Sequence, residues 1–434
     1  MTSTASPGAI PGFRLPGSAA RAWLLLFLAH GVGVAPVPCR GQTPPNLTIA
    51  FIGDQGLGTT SLAVLNLIRS EGADAVVHSG DFDYADNPAA WDAQINAVLG
   101  PDFPYFASIG NHDTSRFLGP GGYQEFLAAR MNRLGIPWAD NLGVQCNFVY
   151  AGIHFVLTGA GTSGSGHDTY IRNVFAASGS PWRISSWHKD QHLLQPEGKS
   201  DETGWGVYEE SRRAGAIIAT GHAHAYSRTH LLSSMQNQVI ASTSNMLEIA
   251  RDDPATLPDE GRSFAFVSGL GGRDIRSQQV SGNWFACIYT STQNAAHGAL
   301  FGVFNYYGFP TFAHFYLKTV TGEIRDEFYV HSLVLSGPSD AAAGGDLLSL
   351  QLVPGNPTRA RVALVYQLPM PAAVTLRVVD VRGRVIHEAF RGLLQPAGTH
   401  RWEWDAGAGR ASGVYFFQLR TPLAERTVRT VLLR

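Results

Sequence analysis

The chain has 434 residues, of which 44% are hydrophobic and 15% charged, and its formal net charge is -2. That composition excludes a disordered chain and leaves room for more than one domain with a core of its own. It supplies no basic field for nucleic acid or anionic lipid, so neither is expected as a partner.

Arg14 and Arg21 precede an apolar run at 22–29 that is too short for a comfortable membrane span. Residues 1–41 are therefore expected to be a secretory signal peptide, with cleavage open between Ala35-Pro36 and Gly41-Gln42; an uncleaved membrane anchor is the alternative. Two cysteines remain beyond it, Cys146 and Cys287, and the sequence leaves open whether they pair.

From Leu47 a strand, a glycine-containing turn and a helix follow one another. The apolar run 47–52 meets Gly53-Asp54, and Thr59 or Thr60 is placed to cap a helix over 61–70, where Leu62, Leu65 and Ile68 recur at helical spacing. Further strands are expected at 75–79, 105–109, 183–187 and 216–219. They end at Gly80-Asp81, at Gly110-Asn111-His112-Asp113, at His188 and at Gly221-His222-Ala223-His224. Each polar group stands at the C-terminal end of a strand, where open α/β sheets bind ligands.

Beyond His224 the runs 264–267, 284–289, 300–307 and 311–318 predict a second sheet packed on the first, within an α/β (α+β) domain over 46–335. The small, turn-rich stretch 336–345 is the expected linker. Over 346–434, Val362, Leu364, Tyr366 and Leu368 share one face and Val374, Leu376 and Val378 another, which predicts an all-β sandwich. No cluster of His, Asp, Glu or Cys falls in that part.

One explanation covers Asp54, Asp81 with Tyr84, Asn111 with His112, and His188 with His222 and His224: oxygen and imidazole ligands for two adjacent metal ions. A carboxylate can bridge, the histidines bind as neutral rings, and an amide oxygen adds a donor without charge. Each Gly-Asp or Gly-Asn taken alone is a turn; their order and shared position at strand ends carry the reading. His192 is a rival to His188 but lies beyond the strand end. A phosphate cradle at 53–60 fails because no Gly-Lys-Ser/Thr follows.

With Asp54-x-Gly56, Gly80-Asp81-x-x-Tyr84, Gly110-Asn111-His112-Asp113, His188 and Gly221-His222-x-His224 in this order, the sequence resembles the calcineurin-like metallophosphoesterases, and within them the purple acid phosphatases. Gly56 stands where most of that superfamily has a histidine, and Tyr84 supplies a phenolate in its place. The resemblance implies a four-layer αββα sandwich. It implies Asp54, Asp81, Tyr84 and His224 on one metal, and Asp81, Asn111, His188 and His222 on the other, with Asp81 as the bridge. It further implies Fe(III) paired with Zn, Mn or Fe(II), and hydrolysis of a phosphate monoester by a metal-bound hydroxide, with His112 protonating the leaving group. Asp113 is expected to orient His112, and Arg228 is a candidate contact to phosphate. A phosphodiesterase on the same site, or a binding protein on a degenerate phosphoesterase fold, are the alternatives.

The segments 354–357, 379–384, 398–400 and 412–415 resemble the Ig-like C-terminal sandwich domains of exported bacterial proteins, including secretion-sorting domains. That resemblance implies export machinery or cell-surface attachment as a partner, and a secreted, periplasmic or surface location.

Overall fold

In a computed structural model of the protein the described residues are 43–253, 255–256, 259–334, 348–353, 361–368, 372–395, 398–406, 411–421 and 424–433. The expected signal segment 1–41, the linker 336–345 and the segment 354–357 lie outside them. Among the described residues no helix is long and apolar enough to cross a membrane.

The elements begin β1 (Leu47–Ile52), α1 (Thr59–Ser70), β2 (Ala75–His78), α2 (Pro88–Val98), β3 (Tyr105–Ala107) and α3 (Tyr123–Arg133). They continue with β4 (Ala139–Asn141), β5 (Gln145–Tyr150), β6 (Ile153–Thr158), α4 (His167–Ala176), β7 (Trp182–Ser186), α5 (Trp205–Arg213) and β8 (Ile217–Thr220). After these come β9 (Tyr226–Thr229), β10 (Leu231–Ser234), β11 (Val239–Ser242), β12 (Met246–Ile249) and β13 (Ala265–Ser268). The last of this part are β14 (Phe285–Tyr289), β15 (Gly298–Phe304), β16 (Phe312–Thr319) and β17 (Ile324–Ser332).

Two mixed sheets result. One has seven strands in the order β12-β17-β16-β15-β1-β2-β3, the other eight in the order β14-β9-β13-β8-β7-β6-β5-β4. β1, β2 and β3 run parallel, as do β6, β7 and β8. The sheets pack face to face through aromatic side chains: Phe51 of β1 meets Phe266 of β13 edge-on at 5.2 Å, and Phe106 of β3 lies 5.5 Å from Phe155 of β6. Helices α1 and α3 lie on the seven-stranded sheet, and α4 and α5 on the eight-stranded one, which completes the αββα layering.

Local chemistry sets the helix ends. Asn87 caps α2, its side chain accepting from Ala90 N at 3.1 Å, and Pro88 occupies the first turn, where no amide hydrogen is needed. The expected threonine cap of α1 is not formed: the N-cap is Gly58, and Thr60 Oγ1 instead donates to Gly272 O at 2.6 Å. Arg183, 1% exposed, donates to Ala214 O and Ser178 O, the carbonyls just past α5 and α4, so two helix C-termini face its charge.

Cys146 and Cys287 are unpaired. Their strands, β5 and β14, are six positions apart in one sheet, roughly 29 Å at the usual strand spacing, which no disulfide spans.

The C-terminal strands are β18 (Ser349–Val353), β19 (Arg361–Leu368), β20 (Ala372–Asp380), β21 (Val385–Gln395), β22 (Gly398–Asp405), β23 (Gly413–Arg420) and β24 (Glu425–Leu432). They form antiparallel sheets β18-β19-β22 and β21-β20-β23-β24. Val362, Leu364, Tyr366, Leu368, Val374, Leu376 and Val378 are all buried, with Trp404 and Phe417 meeting at 5.5 Å, as the alternating pattern predicts for a sandwich.

Phe51 is fully buried at the junction of the two large sheets. The Phe51→Ala protein is expected to lose about 3–5 kcal/mol of unfolding free energy in a urea titration.

Candidate metal centre

The residues of the centre come from both sheets. Asp54, Asp81, Tyr84 and Asn111 follow β1, β2 and β3, while His188, His222 and His224 follow β7 and β8. Backbone bonds lace the first two turns together: Asp54 N to Gly80 O, Gln55 N to Asp81 O and Gly56 N to Phe82 O, at 2.9 to 3.1 Å. Asp54, Asp81, Tyr84 and His222 all have positive φ, between 57° and 65°. A non-glycine residue there costs of order 1–3 kcal/mol, and such strain gathers at functional sites.

Asp113 secures this backbone. Its carboxylate accepts from Asp81 N, Phe82 N and Gly110 N at 2.7 to 2.9 Å. It was expected to orient His112; its bonds run to the turn carrying Asp81 instead. Gly110 is required beside it, since a Cβ there would lie 2.1 Å from Asp81 N.

The lone pairs converge. His188 Nδ1 donates to Ser79 O at 2.7 Å, so its Nε2 faces Asn111 Oδ1 at 3.1 Å, Asp81 Oδ1 at 3.2 Å and His222 Nδ1 at 3.2 Å. His222 Nε2 donates to Glu202 Oε2 at 2.9 Å, which leaves its Nδ1 bare. Four electron-rich atoms thus meet at one point, where a cation or a proton is needed among them. The ligand atoms of Asp81, His188 and His222 lie within 4.8 Å of one another.

A second group adjoins the first. His224 Nδ1 donates to Asp274 O at 3.0 Å, and its Nε2 lies 3.1 Å from Tyr84 Oη and 3.5 Å from Asp54 Oδ1. Tyr84 donates to Asp54 Oδ1 at 2.9 Å, and Asp54 Oδ2 is buried with no hydrogen-bond partner. Bare imidazole nitrogens, an unpartnered carboxylate oxygen, a phenol and an amide oxygen fit a pair of polyvalent cations.

The electrostatics agree. Burial raises Asp54 well above the carboxylate range, against the pull of His188. Asp81 is also raised by burial, but His188 outweighs this and holds it below that range. His188, penalised by burial, is lifted to about 9 by Asp81 and Asp54, so the metal-free ring carries a proton on Nε2 at the place a cation would take. Burial lowers His224 to about 4 and His222 to about 2, which keeps both rings neutral and ready to ligate. Burial together with Asp54 and Asp81 pushes the Tyr84 phenol far up; a polyvalent cation beside it would reverse that balance.

His112 lies at the rim. Its side chain is 54% exposed, its Nε2 is 4.0 Å from Asp81 Oδ2, and its ring is 4.7 Å from that of Tyr84. Arg228 does not reach the centre: it is 1% exposed, holds Asp326 through Nε and Nη2 at 2.7 and 2.9 Å, and lies 4.0 Å over Phe328. The expectation that it contacts phosphate is corrected accordingly. His192 bonds to Lys199 O and stays apart from the cluster, leaving the position to His188. His167 starts α4 and is bonded to Ser163 O.

Three features were not read from the sequence. Glu202 belongs to no motif. Asp274 acts through its carbonyl, which any residue would supply. Arg273, over the Tyr84 ring at 4.3 Å, follows the glycines at 269, 271 and 272, and these did carry a trace: they come directly after β13, the same strand-then-glycine pattern as the other site turns.

Residues 47–226 match the family model described as calcineurin-like phosphoesterase. Proteins of that family are metal-dependent phosphoester hydrolases and generally bind two metal ions. Among curated proteins, purple acid phosphatase 22 of Arabidopsis thaliana is 24% identical over 206 residues, which is 43% of this chain and 47% of that protein. A probable cyclic nucleotide phosphodiesterase of Moraxella catarrhalis (strain BBH18) is 24% identical over 204 residues, 42% of this chain and 70% of the relative. The chain thus spans about half the length of the plant relative. The solved structure of PhoD is similar over 69% of this chain and 74% of that one, at 13% identity and a TM-score of 0.40, too distant to inform the chemistry.

Removing one partner of the buried Arg228–Asp326 pair strands the other charge. Arg228→Met is expected to cost about 3–5 kcal/mol in chemical denaturation. KM for a phosphate ester should not change; a raised KM with unchanged stability would restore Arg228 to the site.

Proposed function

We propose that this chain is an exported phosphatase that hydrolyses phosphate monoesters at a binuclear metal centre. In this reading Asp54, Asp81, Tyr84 and His224 hold one cation, Asp81, Asn111, His188 and His222 hold the other, and Asp81 is shared. The observation that carries it is His188 Nε2, ringed by Asn111, Asp81 and His222 acceptors at 3.1 to 3.2 Å, an arrangement that calls for positive charge at its centre.

The phenol at Tyr84 favours Fe(III) in the first position, with Zn, Mn or Fe(II) in the second. When bound, such a pair supplies charge neutralisation for a phosphate ester and acidifies the water that attacks phosphorus. The protein's own residues do the rest. The backs of His188 and His224 are held by Ser79 O and Asp274 O, so neither ring can turn its proton toward the substrate. Asn111 contributes an oxygen without charge, which leaves the centre net positive toward an anionic ester. His112, half-exposed at the rim, gives a proton to the departing alkoxide. Export and surface retention through the C-terminal sandwich rest on the apolar run 22–29 and on the sandwich itself.

A phosphodiesterase is the second reading, favoured by the likeness to the Moraxella catarrhalis protein, of which the matched region spans 70%. Turnover of p-nitrophenyl phosphate and its bis ester by the purified protein separates the two. The monoester should react faster, and the opposite order would overturn the proposal. Asp81→Asn should fold but lose metal and activity. Tyr84→Phe should keep activity in part and lose any visible absorption band from a ferric phenolate. His112→Ala should slow an alkyl phosphate by about 10²- to 10⁴-fold, and p-nitrophenyl phosphate far less because its leaving group needs no proton. Equal losses on both would assign His112 to binding.

A further inference from the structure

We infer that Glu202 is a positioning residue for this centre, holding His222 in the tautomer that presents Nδ1 to the cluster. The inference rests on the binuclear reading above. The three histidines are fixed from behind in different ways. His188 and His224 donate Nδ1–H to backbone carbonyls, Ser79 O at 2.7 Å and Asp274 O at 3.0 Å. His222 is turned the other way round: it donates Nε2–H to the Glu202 carboxylate at 2.9 Å and offers Nδ1. Its orientation therefore depends on a side chain, where the other two depend on the fold.

Glu202 is itself braced. Its other carboxylate oxygen, Oε1, accepts from Lys189 Nζ at 2.6 Å, and its backbone N donates to Asp190 O at 3.1 Å. The next two residues are anchored by Gln191, whose Oε1 accepts from Thr203 N and Gly204 N, both at 3.0 Å. Gly161 packs against the Glu202 carbonyl so closely that a Cβ there would come within 2.6 Å of it. Both charged groups are mostly shielded, at 20% and 19% exposure, so the ion pair is not a freely solvated one. Lys189 follows His188 directly, so a single dipeptide supplies one imidazole of the centre and steadies the partner of another. An anionic acceptor behind a ligating imidazole also raises the donor strength of the opposite nitrogen, which a carbonyl does to a smaller extent.

The test is Zn²⁺ binding to the full chain by chelator competition, with the wild type, Glu202→Ala and Glu202→Gln side by side. The wild type should take up two equivalents. Glu202→Ala should bind one of them roughly 10- to 100-fold more weakly and leave the other unchanged. Glu202→Gln, whose amide oxygen can still accept from Nε2, should lose less. Unchanged affinities in Glu202→Ala with two equivalents bound would overturn the inference and leave the binuclear reading intact. A wild type that binds fewer than two equivalents would overturn the reading and the inference with it. Imidazole nitrogen NMR of the metal-free proteins gives a second readout: the Nε2–H tautomer of His222 should dominate in the wild type and lose that dominance in Glu202→Ala, and a spectrum identical in both would count against the role.

Discussion

Three imidazole rings in this protein are held with their protons turned outward, toward Ser79 O, Asp274 O and Glu202, while their other nitrogens face carboxylate, amide and phenol oxygens. Everything near the centre serves that arrangement. The parallel strands deliver the side chains, and Asp113 collects three backbone amides so that Asp81 is presented at a fixed angle. Gly110 clears the space which that turn needs. A cluster of like partial charges is unfavourable in itself, and its persistence in a buried position depends on the surrounding backbone being over-determined.

The sequence made the frame of the centre legible because its chemistry sits where strand periodicity stops. An apolar run broken by glycine and then by Asp, Asn or His is a pattern in the chain itself, and four such breaks, with His188 at the end of a fifth run, located seven side chains. What could not be read depends on contacts between distant segments. Asp113 was assigned to His112, its neighbour in the chain, yet it bonds across 31 to 32 residues to the Asp81 turn. Arg228 follows a site motif immediately, but β9 turns it away onto Asp326, far off in sequence.

The helices show the same limit. α5 buries Val207 and Tyr208 together with Ser211 and Arg212, so half of its inward face is polar and no apolar stripe announces it. Ser211 donates to Val207 O and lies 2.9 Å from Ser185 Oγ, and Arg212 is paired with Glu209 and Asp259, contacts that make such burial affordable only once the fold exists. The C-terminal strands alternate cleanly and were read face by face for that reason.

The donors are shared between the two large sheets: Asp54, Asp81, Tyr84 and Asn111 extend from the seven-stranded sheet, His188, His222 and His224 from the eight-stranded one. Elsewhere the sheets meet through aromatic packing. Ions clasped by both sets of side chains would act as rivets across that interface. Their chemical potential would then become a term in the cohesion of the sandwich, so that metal supply and resistance to unfolding would rise and fall together.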